Sequence, residues 1–279
     1  MSGFPWGEFA RGLGYAACAS LAVMLVTFAV AVRKGKHRIV DVAWGLAFVA
    51  VALVSYGVSR TAGDGGGDTV RQLLVTALTC VWGLRLAVHI ALRGRGAGED
   101  PRYEKMLDKA AGSRNLYALR TVYLLQGALV WLVSLPVQAA LHVRGAPTAF
   151  AWAGVALWAV GMAFEAVGDR QLARFKADPA HQGRIMDRGL WSWTRHPNYF
   201  GDFCVWWGLF LIVCDHGPAA AATVVSPLVM SWLLIGGSGK RLLERHMEGR
   251  PGWARYTART SGFLPLPPKS LPDPDKPRP

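Results

Sequence analysis

Apolar residues in this chain gather in runs too long for a water-soluble core. A membrane-crossing helix needs about 20 mainly apolar residues, and about seven stretches meet that length. They lie at approximately 14–32, 39–59, 70–92, 116–143, 148–168, 199–215 and 217–239. The first reads GYAACASLAVMLVTFAVAV and carries no charge. The fourth is long enough to tilt or kink, and Pro136 lies inside it. The pattern predicts an all-α, polytopic membrane protein with one domain over 1–266 and a proline-rich, disordered tail over 267–279. The N-terminal stretch does not read as a cleaved signal peptide, because its apolar run is too long and no basic segment precedes it. The glycine-rich GDGGGD before the third stretch reads as a flexible outer loop.

Composition agrees. Hydrophobic residues make up 52% of the 279 and charged residues 18%, with a net charge of +13. A soluble domain usually carries about 25% charge. Such a basic excess suits either a nucleic-acid binder or a membrane protein with basic inner loops, and the position of the charges decides between them. Arg33, Lys34, Lys36 and Arg38 fill the first loop. Arg93, Arg95, Arg102, Lys105, Lys109 and Arg114 fill the third, and Arg170, Arg174, Lys176, Arg184, Arg188 and Arg195 the fifth. The loops between hold almost none: Arg60 and Arg71 around the second, Arg144 in the fourth. This alternation argues against nucleic acid as a partner, and it places the N-terminus outside and the C-terminus in the cytoplasm. The Ala-, Gly- and Arg-rich composition suggests a GC-rich bacterial genome, and the expected location is then a bacterial inner membrane. Cys18, Cys80, Cys204 and Cys214 all fall in apolar stretches without metal-like spacing, so they read as buried packing thiols and no metal site is expected. No obligate protein partner is implied.

Ionisable groups inside membrane spans are costly and are functional candidates by default. Asp41 opens the second span, Arg85 and His89 sit one turn apart in the third, and Arg120 lies early in the fourth. Glu165 is near the end of the fifth and Asp202 just inside the sixth. Those near span ends can also snorkel to the interface, as Arg120 does on this reading, and His89 also reads as a satisfied core histidine.

The densest polar chemistry lies at the inner ends of the last three spans. In EAVGDRQLARFK, helical spacing lets Glu165, Asp169 and Lys176 share one face. In RGLWSWTRHPNYFGDFCVWWG, Pro197 suits a first helical position, which would set free backbone N–H groups beside Arg195 and His196. Asn198 and Asp202 would share the first turns, next to Tyr199. Trp191 and Trp193 suit an interfacial belt or a stacking surface. In GGSGKRLLERHMEGRPGWARY, Lys240 and Glu244 are one turn apart, as are Arg241 and Arg245. Together these residues offer cations for phosphates, carboxylates for hydroxyls and an amide. They fit a nucleotide-like cofactor, or else a plain rim of ion pairs.

The block RHPNYFGD, then KRLLE and RPGWARYTARTSGFLP, with VDVAWG and WGLRLAVHI…RGRGAGEDPRY upstream, resembles the bacterial membrane family grouped as domain of unknown function 1295. That group is related to the steroid 5-alpha-reductases and the sterol reductases. The resemblance covers about residues 37–266. It implies seven helices whose C-terminal part, about 148–266, holds NADPH from the cytoplasmic side, with a lipid-like enone entering from the bilayer. It places Asn198 and Asp202 at the nicotinamide end, Asp169 on the cofactor and Lys176 near a phosphate-holding position. Glu165 stands where those enzymes have Asn. Lys240 and Glu244 align with an Arg and a His of the cofactor site, and Tyr256 falls in the terminal aromatic motif. Asp41 is the nearest counterpart of the catalytic Glu, acting as the acid or its orienting partner. The catalytic Tyr position is Trp82, with Tyr103 as a possible substitute.

The leading expectation is an oxidoreductase that passes a hydride from NADPH to the C=C bond of a hydrophobic steroid-, sterol- or isoprenoid-like substrate. A membrane methyltransferase of the isoprenylcysteine type, using S-adenosylmethionine, shares an RHPxYxG block and is the second reading. A non-enzymatic lipid binder or transporter is the third. Against the third, the charges cluster at helix ends and do not line a path through the midplane.

Overall fold

A computed structural model of the chain describes residues 3–61, 66–237 and 239–270. Among the described residues the structure is helical, and an isolated parallel bridge joins Thr194 to Ser261. The chain is an all-α polytopic membrane protein: Trp6–Lys34, His37–Thr61, Thr69–Arg93, Arg114–Ala140, Ala149–Ala177 and Gly217–Met247 are each long and apolar enough to cross a bilayer. The expected span at 199–215 differs. It forms the 15-residue helix Pro197–Leu211, about 22 Å of rise against about 30 Å of hydrocarbon. Part of the expected GDGGGD loop, at 62–65, lies outside the described residues, as does 271–279 of the expected disordered tail. Residues 267–270 continue from the last helix, and Lys269 N–H bonds the Arg259 carbonyl (2.9 Å). The single domain expected over 1–266 divides into two compact units.

The first unit comprises Met1–Gly154 and Leu209–Ser226. Its long helices are α1 (Trp6–Lys34), α2 (Val40–Thr61) and α3 (Thr69–Arg93). Gly35, at φ 63°, ends α1, and the Asp68 carboxylate caps α3 by accepting from Arg71 N–H (2.9 Å). Along α3, Val81, Leu84, Val88 and Leu92 recur at helical spacing and face outward, while Val75, Thr79, Trp82 and Ala87 are buried. An apolar outer stripe is what a lipid-facing helix shows. Lipid is as apolar as leucine, so close backbone approach and buried polar bonds must hold such helices together. Both are present. A Cβ added to Gly45 on α2 would stand 2.4 Å from the Gly83 carbonyl oxygen on α3, and one on Gly83 would stand 2.6 Å from the Gly45 oxygen. Ser20 Oγ donates to the Gly127 carbonyl (2.8 Å), and Trp131 Nε1 donates to that of Leu13 (3.0 Å).

The fourth apolar stretch kinks, as its proline predicted. After α4 (Pro101–Leu107), it runs through α5 (Arg114–Ala118), a π-helical segment Leu119–Leu124, α6 (Leu125–Val133) and α7 (Leu135–Ala140). Ser134 leaves helical geometry between α6 and α7, and Pro136 sits in the first turn of α7, where a missing N–H does no harm.

Arg71 had been counted among the sparse loop charges. It is instead fully buried in α3. Its guanidinium donates to the Ile212 carbonyl (2.6 Å), to Asp215 Oδ2 (2.7 Å) and, at 3.2 and 3.3 Å, to the carbonyls of Gly145 and Ala146. Asp215 also accepts from Thr148 N–H (2.9 Å). One cation thereby ties three separate segments of the unit. The cysteines also depart from expectation in part: Cys204 is buried and Cys80 and Cys214 half-buried, but Cys18 is exposed, because it lies on the outward face of α1.

The second unit comprises Val155–Gly208 and Pro227–Pro279. It contains most of α8 (Ala149–Ala177), then α9 (Leu190–Trp193) and most of α10 (Pro197–Leu211). After α11 (Gly217–Thr223) of the first unit, the chain re-enters the second through α12 (Val225–Ile235), α13 (Lys240–Met247) and α14 (Trp253–Arg259). Again two glycines let helices touch: a Cβ on Gly161 of α8 would lie 2.5 Å from the Gly201 oxygen of α10, and the reverse distance is also 2.5 Å.

Replacing Arg71 by Met should strand the Asp215 carboxylate and destabilise the first unit by about 3–5 kcal/mol. Unfolding of the purified protein in detergent measures this, and Arg71→Met combined with Asp215→Leu should recover a large share of the loss.

Candidate functional site

The site in the second unit is built on the segment between α8 and α10. Two bonds hold that segment to α8. The Leu190 N–H donates to Gln171 Oε1 (3.0 Å), and the Trp191 indole N–H donates to the Gly168 carbonyl (2.9 Å). Gly189 makes the approach possible: at φ 59° it adopts a conformation that favours glycine, and a Cβ there would lie 2.4 Å from Gln171 Nε2. Two more bonds hold it to the C-terminal segment. Tyr256 Oη donates to the Trp191 carbonyl (2.7 Å), and Arg195 N–H donates to the Ser261 carbonyl (2.9 Å). Thr194 Oγ1 adds a bond to the Phe263 carbonyl (2.8 Å).

Beside these ties lies an open cavity of about 790 Å³. Its cationic lining is Lys176, Arg184, Arg195 and Arg250, with Asp178 the one carboxylate among the lining residues. Flat rings form much of the remaining wall. Phe175 and His181 stack at 4.3 Å, and Trp253 meets Tyr256 at 5.8 Å, with Trp191 and His196 also on the wall. Such a lining can hold phosphate oxygens by charge-assisted bonds and a planar base by stacking.

One carboxylate organises the part of the wall made by Arg195 and His196. Glu244 Oε1 accepts from Arg195 Nε (2.9 Å) and from His196 Nε2 (3.0 Å). Arg195 Nη1 continues to the Thr260 carbonyl (2.7 Å), and that of Thr257 (3.2 Å). Lys240 joins them over Gly262, where a Cβ would stand 2.8 Å from Lys240 Nζ and 3.1 Å from Arg195 Nη2. A carboxylate only accepts, so His196 carries its proton on Nε2 and presents Nδ1 as a lone pair. Nδ1 is buried and has no hydrogen-bond partner among the described residues. Burial holds the His196 pKa down to about 4, with Arg195 and Lys240 helping and Glu244 opposing. Burial also pushes the Tyr256 phenol well above its usual value.

The sequence-derived residues therefore fall in different places. Lys176, Arg195, His196 and Tyr256 line the cavity. Lys240 and Glu244 stand behind it as the support of Arg195 and His196. Tyr256 gives its hydroxyl to Trp191 and offers the cavity its ring. Glu165 and Asp169 are buried on α8, and Glu165 packs on the backbone of Gly201. Asn198, Tyr199 and Asp202 lie on the first turns of α10, which begins at Pro197 as expected. Tyr199 stacks on His196 at 5.4 Å. Arg241 is exposed on α13 and does not line the cavity, to which α13 contributes Leu243, His246 and Met247. Of the two tryptophans, Trp191 is buried in the wall while Trp193 is exposed. Arg184 and Arg250 were counted only as loop charge or motif flank. Nothing in their spacing marks them, because the fold of the loop brings them together.

The catalytic candidates lie in the first unit. Asp41 is in the first turn of α2. Tyr103, on α4 (Pro101–Leu107), donates to Asp41 Oδ1 (2.5 Å), and Arg102 Nη2 lies 3.3 Å from Asp41 Oδ2. Glu99 anchors this region by accepting from the N–H groups of His37, Arg38 (2.8 Å) and Asp100 (2.9 Å). His37 itself is buried, with Nδ1 3.0 Å from the Tyr123 hydroxyl. Burial, reinforced by the Asp41 charge, pushes the Tyr103 phenol well above its usual pKa. Arg85 and His89 are half-buried on α3, and Arg120 is exposed in the π-helical segment. Trp82 is wholly buried and meets Phe48 edge to face at 5.3 Å.

The chain belongs to the family described as protein of unknown function, DUF1295, which it matches over residues 27–260. A comparison with curated proteins gives no match.

The depressed His196 pKa has a signed consequence. The unfolded chain takes up this proton near pH 6.5 and the folded chain near pH 4. The contribution is complete above about 6.5 and is lost as the pH falls to about 4, reaching about 3 kcal/mol. Comparing unfolding midpoints of the native chain and His196→Gln across that window checks it, and the variant should show the shallower decline.

Proposed function

We propose that this protein is a membrane-embedded reductase, of a bacterial inner membrane, that uses NADPH to saturate a C=C bond in a hydrophobic steroid-, sterol- or isoprenoid-like substrate. The observation that carries the reading is the cationic, ring-walled cavity of the second unit. Its volume of about 790 Å³ lies within the range of cofactor sites, about 300–1,000 Å³. Lys176, Arg184, Arg195 and Arg250 suit the phosphates of a dinucleotide. Trp191, Trp253 and Tyr256 suit the flat faces of its bases. The buried Nδ1 of His196 suits a donor such as a hydroxyl or a carboxamide N–H. When bound, the nicotinamide group supplies a hydride.

The charge balance of the lining also separates this reading from the methyltransferase. S-adenosylmethionine carries a sulfonium cation and no phosphate, so a wall with Lys176, Arg184 and Arg250 beside the Glu244-paired Arg195, against one Asp, would oppose it. The same wall attracts a phosphorylated dinucleotide.

The first unit supplies proton handling. Addition of hydride to an activated C=C places negative charge on the conjugated oxygen, and a hydrogen-bond donor there lowers the barrier. Tyr103 is that donor in this proposal. Its raised pKa keeps the phenol protonated at neutral pH. Asp41, which accepts the Tyr103 O–H, orients it and acts as a positioning residue. A tyrosine on α4 thus takes the part that the buried, non-phenolic Trp82 does not.

Two measurements test the proposal. Titrating the purified protein with NADPH and S-adenosylmethionine should show saturable binding of NADPH alone, and Lys176→Gln with Arg250→Gln should weaken it by at least about tenfold. Binding of S-adenosylmethionine alone would overturn the assignment. Tyr103→Phe should lower turnover by about 100-fold while leaving NADPH affinity unchanged, and an unchanged turnover would remove Tyr103 from the chemistry.

A further inference from the structure

A second, smaller pocket of about 320 Å³ lies outside the cofactor cavity, against the outer side of α14. Its charged lining is Arg255, Arg259 and Lys269, with no acidic residue. Arg255 and Arg259 are one helical turn apart, a spacing at which like charges repel. Lys269 is brought to them by the backbone bond from its N–H to the Arg259 carbonyl (2.9 Å). None of the three has an ion pair or a side-chain hydrogen bond among the described residues. Among the described residues no carboxylate lines this hollow, although Asp187 shares a neighbouring lining with Arg255 and Arg259, so three cations held around it attract an anion.

The surface beside the pocket says which anion. The segment from Ser261 to Ser270 folds back along the second unit, and its Leu266 N–H bonds the Trp193 carbonyl (3.0 Å). Along it Leu264 is 56% and Leu266 54% exposed, and Trp193 beside them is 47% exposed. Exposed leucines and a tryptophan next to a cationic hollow match the boundary of a bilayer, where apolar side chains enter the acyl region and cations meet headgroup phosphates. A site for a soluble phosphate would have no use for the leucines.

We propose that Arg255, Arg259 and Lys269 form a binding site for the phosphate-bearing headgroup of an anionic phospholipid, with Leu264 and Leu266 lying in the adjoining acyl region. The site is separate from the cofactor cavity and does not depend on the reductase reading.

The test is native mass spectrometry of the full chain in detergent, titrated with phosphatidylglycerol or with phosphatidylcholine of the same acyl length. The native protein should retain phosphatidylglycerol in preference. The triple variant Arg255→Gln, Arg259→Gln, Lys269→Gln should weaken that retention by about 100-fold, from about fivefold per cation. Lys269→Gln alone, a change in the trailing segment that leaves α14 intact, should give about fivefold. Leu264→Ser with Leu266→Ser should also weaken lipid retention, with no effect on inorganic phosphate added as a competitor. Equal retention of the two lipids, or unchanged phosphatidylglycerol retention in both cation variants, overturns the proposal. Displacement of the lipid by millimolar inorganic phosphate would show a plain anion site and overturn it too.

Discussion

In hydrocarbon, helices do not associate by hiding apolar side chains, because lipid already surrounds those side chains favourably. What remains is close backbone approach and polar bonds made away from water. This protein uses both in each of its units. Gly45 against Gly83 and Gly161 against Gly201 remove the side chains that would separate the helices. The Ser20, Trp131 and Arg71 bonds to main-chain carbonyls then fix which helices meet. A carbonyl in such a place has no water to fall back on, so each of these bonds is more than decoration.

The same logic shapes the candidate cofactor site. Its wall is a loop, and a loop holds a binding surface only if its own polar groups are committed elsewhere. The Trp191 indole, the Tyr256 hydroxyl, the Gln171 amide and three of the Arg195 donors are so committed. Glu244 neutralises Arg195 and fixes the tautomer of His196 with a single oxygen. Lys176, Arg184 and Arg250 line the same wall, where a phosphorylated ligand would meet them. In the first unit the Asp41–Tyr103 pair is held in a comparable way, by Glu99 capping the main chain that leads into α2.

Much of this was legible before the fold was known, for identifiable reasons. Apolar runs longer than 18 residues have few other uses, so the spans stood out. Pro197 marked the start of α10, and Pro136 marked the kink, because proline constrains its own backbone directly. Lys176, Arg195 and His196 stood out because they sit beside helix ends of unusual polarity, and all three line the cavity. Arg71 was misplaced because a lone arginine near a span end looks the same whether it snorkels to water or bonds carbonyls from distant segments. The 15-residue length of α10 was hidden because Ile212 and Val213 continue the apolar pattern after the helix has ended. Cys18 was assigned to the interior because composition cannot tell the lipid face of a helix from its packed face.

The sequence by itself determined the solvent of this protein, its helical class and the ends of the helices at which polar chemistry gathers. Those properties depend on residues close together in the chain: the length of an apolar run, a proline at a first turn, charge that alternates from loop to loop. Only the tertiary structure decided that Arg184 and Arg250 share a wall, that Glu244 serves two donors and that Lys269 returns to Arg259. Each of these joins residues separated by many positions, and their meeting is set by glycine contacts and main-chain bonds that leave no periodic mark in the sequence.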